Sequence, residues 1–239
     1  MIALRFRKTL TGVALLAAGA LLTAAGQPAK TRAAVRNWNA TVTATPEGGY
    51  LLGNPAARVK LVEFVSYTCP HCAHFEKEAA DQLKVGFVAQ GKGSVEVRPF
   101  VRDPVDMTVA LLTRCGPKDR FFVRHTTFMR QQDKWMATLR QMSPSQQKRW
   151  FNADTAKWFR AVATDLGFYP IMRTLGADGP TVDRCLANIA LAEQLSRQTA
   201  DAAKQFSIEG TPSFVVNGVL LAGTHSWGTL RPQLEARMR

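Results

Sequence analysis

Val59 to Tyr67, VKLVEFVSY, is β-branched or aromatic at most positions, which predicts a strand covered on both faces. It runs straight into Cys69. From Pro70 the period becomes helical, with Phe75, Ala79 and Leu83 four residues apart and Gly91 and Gly93 as stop signals. Val95 to Val101 predicts the next strand, so residues 59–101 read as a βαβ unit. Ahead of it, the alternation from Trp38 to Thr43 fits a short edge strand. Thr45 to Asn54, with Pro46, Gly48, Gly49 and Gly53, reads as a loop.

Residues 103–206 carry no convincing strand. Val109, Leu112, Phe121, Phe122, Phe128, Met129, Trp150, Trp158 and Phe159 recur at helical intervals, and Asp103-Pro104, Ser143-Pro144 and Gly179-Pro180 offer helix starts. Strand character returns at Ser213 to Val216 and Val219 to Ala222, on either side of Asn217-Gly218, a strong hairpin signal. Leu230 to Met238 then predicts a closing helix with Pro232 in its first turn, where proline is tolerated. The order β-βαβ, helices, ββα makes this an α/β chain: residues 38–103 and 207–239 form one domain, and residues 104–206 form an all-helical insert between its halves.

The first 26 residues have a different pattern. Arg5, Arg7 and Lys8 precede an uncharged run from Thr9 to Gly26, the layout of a secretory signal peptide with a cleavage site near Ala25 or Gly26. An uncleaved membrane anchor is the rival reading, weakened by Gly12, Gly19 and the many alanines. Residues 27–37 are a spacer. Export places the chain where disulfides persist, which changes how its cysteines are weighed.

Composition adds limits. With 239 residues, 46% hydrophobic and 21% charged, the chain is ordinary globular material and neither disordered nor collagen-like. Its formal charge of +13 falls to +10 without the leader, so the folded part is itself basic. That suits an acidic partner, a membrane surface or nucleic acid, but no nucleic-acid fold signature is present. Four cysteines, at 69, 72, 115 and 185, are too few to replace a core.

Cys69-Pro70-His71-Cys72 lies where the buried strand turns into a helix. The first cysteine there meets the free N–H groups and positive dipole end of the helix, so its thiolate is favoured. His71 adds positive charge when protonated, and Pro70 fixes the first turn. A sulfur that leaves easily makes the Cys69–Cys72 disulfide an oxidant toward other thiols. Zinc would need a second ligand pair, and only His74 is near; c-type haem would need His where Ala73 stands. A purely structural disulfide is the remaining inert reading.

The run VKLVEFVSYTCPHCAHFE, the Cys-Pro-His-Cys motif and Gly210-Thr211-Pro212-Ser213-Phe214 resemble the DsbA family of thioredoxin-fold disulfide oxidoreductases. The resemblance implies a thioredoxin fold carrying the helical insert. It implies that Cys69 is an exposed nucleophile, Cys72 its buried resolving partner and Pro212 a cis-proline. Thr211 and Pro212 would then offer backbone groups to an extended substrate. It also implies that no cofactor is needed, that the protein is a periplasmic monomer acting on exported chains with free thiols, and that a DsbB-like, quinone-linked membrane protein reoxidises it. An acid placed like Glu63 is implicated in proton transfer in such proteins, so Glu63 becomes a candidate to exchange a proton with Cys72; a strand-end glutamate is the plain alternative.

Cys115 and Cys185 are an even leftover pair in an exported chain, expected to form a structural disulfide, with free buried thiols as the alternative. His125 and His225 lack partners and read as capping or surface residues. Arg114, Lys118, Arg120 and Arg124 read as a solvated face, and Trp135, Trp150, Trp158, Phe121 and Phe122 as core. Two other functions stay open: an isomerase or reductase of the same fold, and a redox-inert chaperone or metal carrier using His71, His74 and the two active-site thiols.

Overall fold

The computed structural model describes residues 36–239 apart from Ala153; the leader and most of the spacer lie outside the described residues. Val59–Val65 (β3) is the middle of a six-stranded sheet of order β1-β2-β4-β3-β5-β6. It pairs in parallel with Gly93–Pro99 (β4), Leu61 opposite Val95, and antiparallel with Ser213–Val216 (β5), Leu61 opposite Val216. The parallel pair needs a crossover, and Pro70–Gln82 (α1), continued by a π-helical turn at Leu83–Val88, provides it. Asn217, at φ 51°, and Gly218, at φ 85°, make the turn from β5 to the short Val219–Leu220 (β6).

Alternation along β3 divides it between two cores. Val59 and Leu61 pack with Phe75, Ala79, Phe214, Leu230 and Leu234, so α1 and the C-terminal Trp227–Met238 (α10) cover one face. Phe64 points the other way, into a cluster with Ala202, Ile208 and Val215, where Ile189–Phe206 (α9) lies. Beyond Val65 the chain enters a third core, shared by Tyr67, Cys69 and Cys72 with residues of the helices between β4 and β5.

Those helices are Pro104–Thr113 (α2), Phe121–Arg130 (α3), Gln132–Gln141 (α4), Pro144–Lys148 (α5), Thr155–Asp165 (α6), Phe168–Thr174 (α7), Gly179–Leu186 (α8) and α9. Asp103 caps α2 by accepting the Asp106 N–H, and Ser143 and Gln146 form a reciprocal capping box on α5. The cap of α8 is Asp178, one residue earlier than the Gly-Pro pair suggests, because an Asp side chain can accept the Thr181 N–H and glycine cannot.

Three further expectations are corrected. Trp38–Ala40 is a 3₁₀ turn, and the edge strand is Val42–Ala44 (β1). Within the expected loop, Tyr50–Gly53 (β2) pairs with both β1 and β4, its three apolar residues too short a run to stand out among glycines. Pro232 lies inside α10 and not in its first turn, because the helix begins at Trp227; the carbonyl facing its ring belongs to Gly228, which has no side chain to crowd it.

Candidate active site

The end of β3 delivers Ser66 to Thr68 beyond the sheet, and Cys69 stands at the N-cap of α1 in extended conformation, with Pro70 at the start of the helix. Pro70 and His71 are exposed and Cys72 is buried on the inward face. Both sulfurs are free thiols, and both are covered: Cys69 is 3% exposed and Cys72 0%. The exposed nucleophile expected from the resemblance is corrected here, because the Thr211-Pro212 loop lies over Cys69. That loop carries a cis peptide bond before Pro212.

The Cys69 thiol donates to the Thr211 carbonyl at 3.1 Å. So close an acceptor favours the protonated form, yet the donors around the sulfur win. The Cys72 thiol, then the Thr211 hydroxyl and the N–H groups of Cys72 and His71, favour the thiolate against the cost of burial and lower the Cys69 pKa to about 5. The Thr211 hydroxyl finds no partner of good hydrogen-bond geometry. From His71 it is the backbone N–H, at the helix start, that touches the sulfur. Cys72 goes the opposite way: burial, the bond it gives Cys69 and the charge of Cys69 push its pKa well up. Two cysteines three residues apart thus have opposed proton affinities.

Glu63 is buried on the α1 side of β3, and burial, then the Glu76 charge, raise its pKa well above the usual carboxylate value. It lines a cavity of about 30 Å³ with Glu76, Lys84, His125, Thr126 and apolar side chains, enough for one or two waters. His125 corrects the surface reading. It is 2% exposed, with Nε2 3.3 Å from Glu76 and Nδ1 3.1 Å from the Tyr67 hydroxyl. Burial raises Glu76, but His125 and a 2.7 Å bond from Thr126 hold its pKa below the ordinary value. His225, far off in sequence, meets the Pro212 carbonyl through Nδ1 at 2.8 Å.

Arg114 and Arg124 are not solvated either. Arg124 is buried and donates to the Thr113 and Pro117 carbonyls, and Arg114 donates to the Gly48 carbonyl while lying over Tyr50 and Phe121. Their aliphatic stems and flat heads pack as core residues do. Cys115 and Cys185, joined by a disulfide, tie the end of α2 to α8 and contribute nothing to this cluster. Among the described residues no group of three His, Cys, Asp or Glu is placed to hold a metal ion, and no helix is long and apolar enough to cross a membrane.

A thiol pair at a strand-to-helix junction opposite a cis-proline loop invites comparison with known proteins. The family model described as Thioredoxin matches residues 45–236. The chain belongs to the thioredoxin family. This thioredoxin-family chain is 32% identical over 182 residues to a Rickettsia conorii protein that carries the provisional name protein-disulfide oxidoreductase, covering 75% of the chain and 57% of that protein. A Rickettsia bellii protein with the same provisional name is 30% identical over 175 residues, 72% of the chain and 58% of the relative. The chain therefore spans a little over half the length of these curated relatives. Among solved structures, a protein-disulfide isomerase from Novosphingobium aromaticivorans is 56% identical, with a TM-score of 0.78, 80% of this chain and 98% of that one covered. The alpha-DsbA1 of Wolbachia pipientis shares the fold at 18% identity and a TM-score of 0.60, over 79% of this chain and 89% of its own. The fold is thus the thioredoxin-like α/β fold of DsbA proteins.

Sequence reasoning missed Asp106, Gln132, His125 and Glu76. Each is a buried polar group: Glu76 lies on α1 one turn beyond Cys72, whereas Asp106, Gln132 and His125 reach Tyr67, Cys69 or Glu76 by helix packing across tens of residues. Only the four-residue step from Cys72 to Glu76 is a local signal; nothing local marks the other three.

Proposed function

We propose that this protein is an exported, periplasmic thiol:disulfide oxidoreductase that donates its Cys69–Cys72 disulfide to newly translocated proteins bearing free thiols. The observation that carries the reading is the opposed pair of sulfurs beneath the Thr211-Pro212 loop, with Cys69 holding its negative charge at about pH 5 and above. A substrate thiolate attacks the Cys69 sulfur, the S–S bond breaks toward Cys72, and a mixed disulfide forms. A second substrate thiolate attacks the substrate sulfur of that bond and releases Cys69 as a stable thiolate. Two electrons pass from substrate to enzyme, and a DsbB-like, quinone-linked membrane protein takes them up.

Cys72 leaves as a buried thiolate that binds a proton strongly, and Glu63, itself protonated by burial, is the group assigned to supply it. The backbone of Thr211 and Pro212 holds extended substrate, His71 and Pro70 shape the first turn, and the protein works as a monomer without a cofactor. Nucleic acid has no place in this reading. Isomerase action is the second reading, favoured by the name of the Novosphingobium relative.

The test is equilibration with glutathione, followed by denaturant melts of both redox forms. An oxidant has the less stable disulfide form and a potential above that of glutathione. A disulfide form more stable than the dithiol sinks the assignment. Rapid reactivation of a scrambled test protein, with little oxidation of its reduced form, would favour the isomerase.

A further inference from the structure

β3 ends at Val65, so Ser66 to Cys69 have no ladder partners, and their buried backbone groups must be satisfied elsewhere. The Cys69 N–H turns back to the Ser66 carbonyl at 3.2 Å, and the helical insert serves Tyr67 and the Cys69 carbonyl. The Tyr67 N–H donates to Asp106 Oδ1 of α2 at 2.8 Å. The Gln132 amide, at the first position of α4, donates one hydrogen to the Tyr67 carbonyl at 2.6 Å and the other to the Cys69 carbonyl at 2.8 Å. Gln132 is 1% exposed, so water does not compete for these bonds. Among the described residues the Tyr67 carbonyl has no backbone donor, while the Cys69 carbonyl also accepts the Ala73 N–H at 3.3 Å.

We infer that Gln132 is a positioning residue of the thiol site: its amide locks the turn that presents Cys69 and offsets the carbonyl dipole of Cys69 itself. This rests on the reading of Cys69 as the exchanging thiol. A side chain serving only as filler would fix the shape of the turn. An amide does more, because the carbonyl of Cys69 lies within the same residue as the sulfur, and a donor placed on it lowers the negative potential the thiolate meets. The sulfur itself faces Cys72 from α1 and Thr211 from the cis-proline loop. Before it, Thr68 donates to Asp103 at 2.5 Å, and Arg102 reaches Ser66 at 3.1 Å. None of these bonds involves Gln132.

Gln132→Leu keeps much of the volume and removes both donors. The expected result, read from thiolate absorbance in the reduced protein, is a Cys69 midpoint raised by roughly one unit, a tenfold loss of thiolate at the acid end. An unchanged midpoint in a folded variant overturns the inference. Should that variant fail to fold, the unaltered reduced protein decides. In its nuclear magnetic resonance spectrum the Gln132 side-chain amide should shift with the Cys69 titration, and signals that stay fixed across it reject the assignment. If the parent protein does not exchange disulfides with protein thiols, the functional reading fails instead, while both of these measurements still report on Gln132.

Discussion

Cys69 and Cys115 sit at opposite ends of helices, and that placement separates the two cysteine pairs of the chain. Cys69 caps the N-terminus of α1, where unpaired N–H groups face its sulfur, and its partner Cys72 lies one turn away. Cys115 follows the C-terminal end of α2, where unpaired carbonyls gather, and it is bonded to Cys185 seventy residues on. A thiolate is favoured at the first location and disfavoured at the second, so under the proposed function a disulfide should be easily reduced in one place and resistant in the other. Loop size adds to the contrast. Closing a loop of three residues removes little chain entropy from the unfolded state, whereas closing one of 70 removes much more.

The largest expected effects follow from exchanging these roles. Cys69→Ser should abolish disulfide transfer to a reduced substrate protein while leaving the fold intact. The double variant Cys115→Ser, Cys185→Ser should transfer disulfides at close to the parental rate but lose about 4 kcal/mol of stability in denaturant melts. Loss of transfer in the double variant, or a stability change under about 1 kcal/mol, would erase the distinction between a reactive and a structural pair.

Less dramatic is a dependence on pH that only one pair should show. The Cys69 midpoint in the folded dithiol is about 5, below the 9.0 of an ordinary thiol. Its ionisation therefore stabilises the reduced fold fully above pH 9, less as pH falls, and not at all below about 5. The oxidised form has no such proton to release. Melts of both forms should show the advantage of the dithiol growing as pH rises from 5 to 9, and a gap that is flat or shrinks over that range contradicts the thiolate at Cys69.

The position of the thiol pair between strand and helix was legible in the sequence, and the polar groups packed behind it were not. A buried strand running into Cys-Pro-His-Cys is a short-range pattern, so its place in the fold follows from local rules, whereas the cis-proline at Thr211-Pro212 was implied only by the family resemblance. Gln132 and Asp106 look like ordinary helix residues in a polar context. They become the grips on Tyr67 and Cys69 only because α2 and α4 pack against the end of β3. His125 misled for the same reason: its partners, Glu76 and Tyr67, lie about fifty residues away on another element. Tyr50–Gly53 was hidden by its shortness, since three apolar residues among glycines carry no readable period.

The smallest effect belongs to the neighbour of Gln132. Asp133 bonds Lys77 of α1 at 2.6 Å, across the same seam between the insert and the active-site helix, but its side chain is 75% exposed and that of Lys77 42%. Water screens this pair, and the Lys77 hydrogen bond, then its charge, lower the Asp133 pKa only in a setting where ion pairs contribute little. Lys77→Ala should cost less than about 1 kcal/mol in denaturant melts, with the cost shrinking in high salt. It should leave the Cys69 midpoint where it is. A shift of that midpoint comparable to the one expected for Gln132→Leu would mean that surface charge along α1, and not the buried donors around the turn, sets the acidity of the reactive sulfur.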